Sequence, residues 1–124
     1  DIDQPFKTPA LLAEAGVLFC LQNEGNWQQR NLPFQAGHAV GFGLDYEKAV
    51  QSISLNTAKI LGIDDKVGSI AVGKDATLFI STGDALDMRS SDVEQAFIEG
   101  RSIDLNNKQK GLYEKFKKKY EEKR

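Results

Sequence analysis

Cysteine and histidine are nearly absent from this 124-residue chain: each occurs once, as Cys20 and His38. A lone cysteine excludes a disulfide scaffold and any Cys-rich zinc module. A lone histidine excludes a His-rich metal site, or a His-bearing triad with a spare base, built from this chain alone. No run approaches the roughly 18 apolar residues that a membrane span needs. The opening DIDQPFKTPA has neither a basic start nor an apolar stretch, so it does not read as a signal peptide. These absences lead us to expect a soluble protein of the cytoplasm or periplasm. Methionine is also scarce, and the one present is Met88 rather than residue 1, so a processed product or a piece of a longer chain is expected.

What remains is ordinary globular composition, 40% apolar and 27% charged. A chain of this size can bury about two-thirds of its unfolded surface, enough for one core but not for a large multi-domain enzyme. The net charge of −2 conceals an asymmetry. From Asn107 onward there are eight Lys and Arg against three Glu, net +5; the rest has eight against fifteen, net −7. The acidic body argues against nucleic acid as the main partner, and with no span in the chain a membrane is not expected either. The basic end interleaves its lysines with Leu112, Tyr113, Phe116 and Tyr120, which predicts an amphipathic helix docked on the acidic body.

Thr8-Pro9 reads as a helix start, with a hydroxyl cap and a proline in the first turn, and Gly16 as its stop. The run from Val17 to Leu21 is continuously apolar and fits a strand buried on both faces, as in parallel sheets. Gln22 to Phe34 is polar and follows that strand's C-terminal end, where active-site loops emerge in parallel α/β folds. Ala36 to Gly43 allows a short, close-packed helix. Asp45 to Leu61 predicts one long helix, with Asp45 as N-cap and Gly62 as C-cap. Ala76 to Ser81, Val93 to Ile98 and Ser102 to Leu105 read as strands, with a tight turn at Gly100-Arg101.

Two stretches then read together. Ser54-Leu55-Asn56-Thr57-Ala58-Lys59-Ile60-Leu61-Gly62 is followed by Gly68-Ser69-Ile70-Ala71-Val72-Gly73-Lys74-Asp75-Ala76-Thr77-Leu78. This resembles the C-terminal signature of the amidohydrolase superfamily, imidazolonepropionase-like branch. Leu11 to Val17 resembles the family's helix before its last barrel strand, and Val93 to Arg101 its closing strand pair, so the resemblance runs from about Thr8 to Leu105. It implies an α/β fold: the C-terminal piece of a (β/α)8 metal-dependent hydrolase barrel plus strands of its small β-sandwich, ending in the amphipathic helix. Residues 1–62 would form the end of the barrel, 63–106 the sandwich strands and 107–124 the basic helix.

The resemblance also implies a site. The family carries an Asp just after the last barrel strand, which touches the metal and serves as base for the attacking water. Laid residue by residue, Glu24 takes that position and Asn23 that of the preceding Thr. Glu24 is thus the expected catalytic base and metal ligand, with Asn23 and Trp27 as expected substrate contacts on the same loop. Glu24 is one methylene longer than Asp, and Thr77 stands where the family has Asp, two departures that keep an altered homologue in view. The implied cofactor is a divalent metal, zinc or another ion, held by the family's His ligands in the parent protein; none is expected in this chain alone. The implied reaction is hydrolysis of a C–N bond in a cyclic amide or related small molecule. The expected partners are the remainder of the barrel, a small-molecule substrate and, as an option, a second copy. The alternatives are a degenerate, non-catalytic amidohydrolase paralogue used for binding or assembly, and a small free-standing interaction module. Taken without the resemblance, Glu24 is a solvated carboxylate, His38 a packed or partly exposed structural histidine, Cys20 a core thiol, and the Gly37/Gly41/Gly43 spacing no phosphate loop.

Overall fold

The computed structural model describes residues 2–121. Four helices come first: α1 (Gln4–Glu14), α2 (Leu32–Gly41), α3 (Tyr46–Ser52) and α4 (Leu55–Leu61). Three strands follow, β1 (Leu78–Ser81), β2 (Val93–Ile98) and β3 (Arg101–Ser102), and then α5 (Lys108–Glu121). The sheet is antiparallel in the order β1-β2-β3, with Leu78 opposite Phe97 and Ile98 opposite Arg101.

The helical layer is built on small residues. Ala10, Ala36, Ala39, Leu44, Ala49 and Leu86 form its buried cluster, with Phe19, Leu21, Val50 and Ile53 packed against it. Alanine lets helices approach closely but removes little apolar surface from water per residue. Leu86 comes from the loop joining β1 to β2 and ties that loop to the helices. The loop is shaped by Asp84, whose Oδ1 accepts from the Leu86 N–H at 2.8 Å, and by Asp87, whose Oδ1 accepts from the Arg89 N–H at 2.9 Å.

Five expectations need correction. The segment from Val17 to Leu21 is not a strand. A ladder needs a neighbouring strand, and among the described residues none lies beside it; Val17 and Leu18 stand 48% and 53% exposed and Cys20 is half-buried. The first helix begins at Gln4 rather than after Thr8, with Pro5 in its first turn and Pro9 inside it. The Thr8 hydroxyl, expected to cap the helix, instead donates back to the Gln4 carbonyl at 2.8 Å.

The predicted long helix from Asp45 is two short ones. Asp45 does cap the first, its Oδ1 accepting from the Lys48 N–H, and Gly62 ends the second in the left-handed region at φ +69°. Between them the Ser54 hydroxyl donates to the Val50 carbonyl at 2.6 Å and the Thr57 hydroxyl to the Ser52 carbonyl at 3.2 Å. Hydroxyls competing for helix carbonyls break the run that the apolar periodicity promised. The hairpin turn lies at Glu99-Gly100, where φ is +50° and +77°, the positive pair that a two-residue type I′ turn requires, so Arg101 belongs to β3. Lastly, α5 is not docked: none of its described residues is buried.

Candidate functional site

The extended segment after α1 is held at two points by the junction of α3 and α4. The Leu21 N–H donates to the Ser52 carbonyl at 3.1 Å. The Asn56 side-chain amide donates to the Phe19 carbonyl, also at 3.1 Å. These bonds fix the point at which the polar loop departs. The loop is then closed on itself. Gly25 adopts φ +79°, which favours glycine, and the Gln28 N–H donates to the Gly25 carbonyl. The Asn23 side-chain amide donates to the Gln28 carbonyl at 2.9 Å. A short 3-10 turn, Gln29–Asn31, then leads into α2, with Pro33 in the first helical turn.

This geometry gathers Asn23, Glu24 and Trp27 on one closed loop. Glu24 precedes the glycine turn and is exposed to solvent. Trp27 is 78% exposed, and the Arg30 guanidinium lies 5.8 Å from its ring centroid. An indole this open covers no core edge; with the cation stacked on it, it offers a flat apolar face with a charged rim. Asn23 has its amide N–H engaged in closing the loop, so it acts first as part of the scaffold that carries Glu24.

Beside the loop lies a cavity of about 520 Å³, lined by Phe6, Pro9, Leu21, Phe34, His38 and Met88 among others. His38 belongs to an aromatic group there: its ring centroid is 4.8 Å from Phe6, edge to face, and 5.0 Å from Phe42. His38 thus rests against two rings while remaining exposed to solvent, as a partly exposed structural histidine. Among the described residues there is no group of three or more His, Cys, Asp or Glu side chains placed to hold a metal ion. The clamp from Ser52 and Asn56 was not read from the sequence. The Asn56 partner lies 37 residues away, and the signal that could have found it is the placement of an amide-bearing side chain at a break in an otherwise apolar helix face.

Comparison with known proteins places most of this geometry within one family. The model of the amidohydrolase family matches residues 11–103. The imidazolonepropionase of Shewanella frigidimarina is 57% identical over 35 residues, 28% of this chain and 8% of that protein. Adenine deaminase 3 of Rhizobium meliloti is 36% identical over 66 residues, 53% of this chain and 10% of that protein. The crystal structure of an amidohydrolase from Thermotoga maritima superimposes with a TM-score of 0.74 at 35% identity, covering 80% of this chain and 26% of that one. This chain thus spans a tenth or less of these curated relatives and about a quarter of the solved one.

Proposed function

The chain belongs to the amidohydrolase family, and on that premise we propose that it supplies the Glu24 loop of a hydrolase acting on C–N bonds of cyclic amides or related small molecules. The observation that carries this reading is the position of Glu24: an exposed carboxylate on a glycine-turned loop, inside the family-matched stretch, on a segment clamped by Ser52 and Asn56. A carboxylate so presented can take a proton from water as the water oxygen attacks an amide carbon, and can return it to the nitrogen as the C–N bond breaks. Water adds across the bond, giving a carboxylic acid group and an amine group, both on one ring-opened molecule when the amide is cyclic, and the carboxylate is regenerated. Asn23 holds the loop, and the open face of Trp27 takes the apolar part of the substrate.

The same proposal extends to the missing partners. The exposed Val17 and Leu18 call for neighbouring strands, which we assign to the remainder of a barrel; the quarter of the Thermotoga chain that is matched supports this. Among the described residues no group of three or more His, Cys, Asp or Glu side chains could hold a metal ion, and His38 lies against the Phe6 and Phe42 rings outside any such group. A divalent ion, zinc or another, would draw its other ligands from the remainder of the barrel, with Glu24 as the carboxylate this chain offers it.

The test is a hydrolysis assay of the intact protein on a panel of cyclic amides, comparing Glu24→Gln and Glu24→Asp with the parent. Loss of a general base costs about 10²–10⁴ in rate. Glu24→Gln is expected to lower kcat about a hundredfold or more with little change in KM, and Glu24→Asp to retain more activity than Glu24→Gln. A Glu24→Gln protein within threefold of the parent would remove Glu24 from the chemistry.

A further inference from the structure

The helix α5 lies beyond the family-matched residues 11–103 and carries a surface that the proposed hydrolase does not use. At 100° per residue, Leu112, Phe116, Tyr120 and Tyr113 fall within an arc of about 100° along a helix about 21 Å long. That arc is open: Phe116 is 47% and Tyr120 66% exposed, and no described residue of α5 is buried. Lysines border it on both sides, Lys108, Lys115 and Lys119 along one edge and Lys110 and Lys117 along the other. The borders are physical as well as geometric. The Lys117 ammonium lies 5.9 Å from the Tyr113 ring centroid, and that of Lys119 lies 6.0 Å from Phe116. Glu114 and Glu121 fall on the opposite side of the helix from the arc.

We infer that α5 is an interfacial anchor that lays its Leu112-Phe116-Tyr120 face into an anionic lipid surface. The argument is charge complementarity with a plane. A flat anionic surface meets both lysine borders at once, while the aliphatic stems lie along the aromatic rings and the ammonium groups reach outward. The acids are turned away from it. Phe and Leu supply apolar area, and the two tyrosines match a boundary that is apolar on one side and wet on the other. Asp104 to Asn107, exposed apart from the half-buried Leu105, link this helix to the acidic body, and at physiological salt the repulsion of that body is screened beyond about 8 Å. This departs from the expectation of no membrane partner, which rested on the absence of a spanning segment; an in-plane helix needs none.

The experiment is sedimentation of the whole chain with phosphatidylcholine vesicles, with and without about 30 mol% phosphatidylglycerol. Binding is expected to the anionic vesicles and not to the neutral ones, and to be lost at about 1 M salt, where the screening length falls to about 3 Å. Each surface-facing lysine is worth about fivefold in partition, so Lys115→Gln with Lys117→Gln and Lys119→Gln should weaken binding about a hundredfold. Phe116→Ser should weaken it more than tenfold. Both variants change only exposed positions on α5. Equal binding to neutral vesicles, no binding to either, or binding that survives both variants would overturn the proposal. So would lysine-dependent binding to duplex DNA, or lysine-dependent self-association, in the absence of vesicle binding.

Discussion

Two glycines in one helix should respond to the same substitution with opposite signs. Gly37 and Gly41 both lie in α2, where alanine is worth about 1 kcal/mol over glycine from backbone entropy alone. At Gly41 nothing lies within 4 Å of an added Cβ. Gly41→Ala should therefore stabilise the fold by about 0.5–1 kcal/mol. At Gly37 an added Cβ would run into the Leu86 carbonyl, and would meet the Leu86 carbonyl carbon at 3.0 Å and its Cβ at 3.2 Å. The obstacle is backbone rather than a flexible side-chain tip, and it is braced. Leu86 is 6% exposed, seated against Ala36 and Ala39, and its N–H is held by Asp84.

The helix and the loop cannot both stay where they are. Overpacking of this kind costs about 1–3 kcal/mol, and expelling Leu86 would cost about as much as emptying a leucine site, roughly 2–5 kcal/mol. Either exceeds the gain in helix propensity. Gly37→Ala should destabilise by about 1–3 kcal/mol, leaving the two variants about 1.5–4 kcal/mol apart. Urea unfolding of the intact protein, followed at 222 nm, reads this as a separation of about 0.5 M or more between their midpoints. If Gly37→Ala matches or exceeds the parent midpoint, the β1–β2 loop does not pack on α2 as described, and the account of Leu86 as the link between sheet and helices fails.

Asn56→Ala should cost about 1–3 kcal/mol by leaving the Phe19 carbonyl without its donor, and hydrogen exchange at Leu21 should quicken with it; unchanged exchange would show that the clamp does not hold the segment. Tyr46 donates to Asp84 Oδ1 at 2.7 Å, and that bond, followed by burial and the Asp84 and Glu47 charges, raises its pKa above 10.0. A raised folded-state pKa gives stability that is full below the unfolded value near pH 10 and is lost as pH climbs through the folded value. The stability difference between the parent and Tyr46→Phe should be flat to about pH 9 and shrink above pH 10; a difference independent of pH would show that the phenol ionises alike in both states.

Much of the frame was legible because it rests on local rules. The strand at Val93, the left-handed stop at Gly62 and the cap at Asp45 follow from alternation, the lack of a Cβ and a short carboxylate. That Asn23, Glu24 and Trp27 lie on a loop was legible as well, since the segment that carries them is polar and holds a glycine between apolar stretches. What was not legible depended on distant partners. A run of five apolar residues says that Val17 to Leu21 seeks burial, but not whether neighbouring strands are present to give it. The stripe on α5 says that the helix seeks an apolar surface, but not that its own body leaves it uncovered. Pro9 argued for a helix start because local rules forbid it inside a helix, yet α1 runs through it.

The break between α3 and α4 shows why such a miss falls where it does. In an unbroken helix the Ser52 carbonyl would be taken by the backbone N–H of Asn56, four residues on. The periodicity of Ala49, Val50, Ile53 and Ile60 favours that helix, and the hydroxyls of Ser54 and Thr57 oppose it. Because they prevail, the Ser52 carbonyl is open to the Leu21 N–H, and Asn56 turns its side chain to Phe19. The two bonds that set the exit of the Glu24 loop thus depend on the helix failing at this point. A natural sequence departs from its local rules most readily at functional supports, and here the departure consists of two hydroxyl residues in a helix-forming run. The lesson for reading such sequences is to treat Ser and Thr on the buried side of a periodic helix as a place to look for what the freed carbonyl holds.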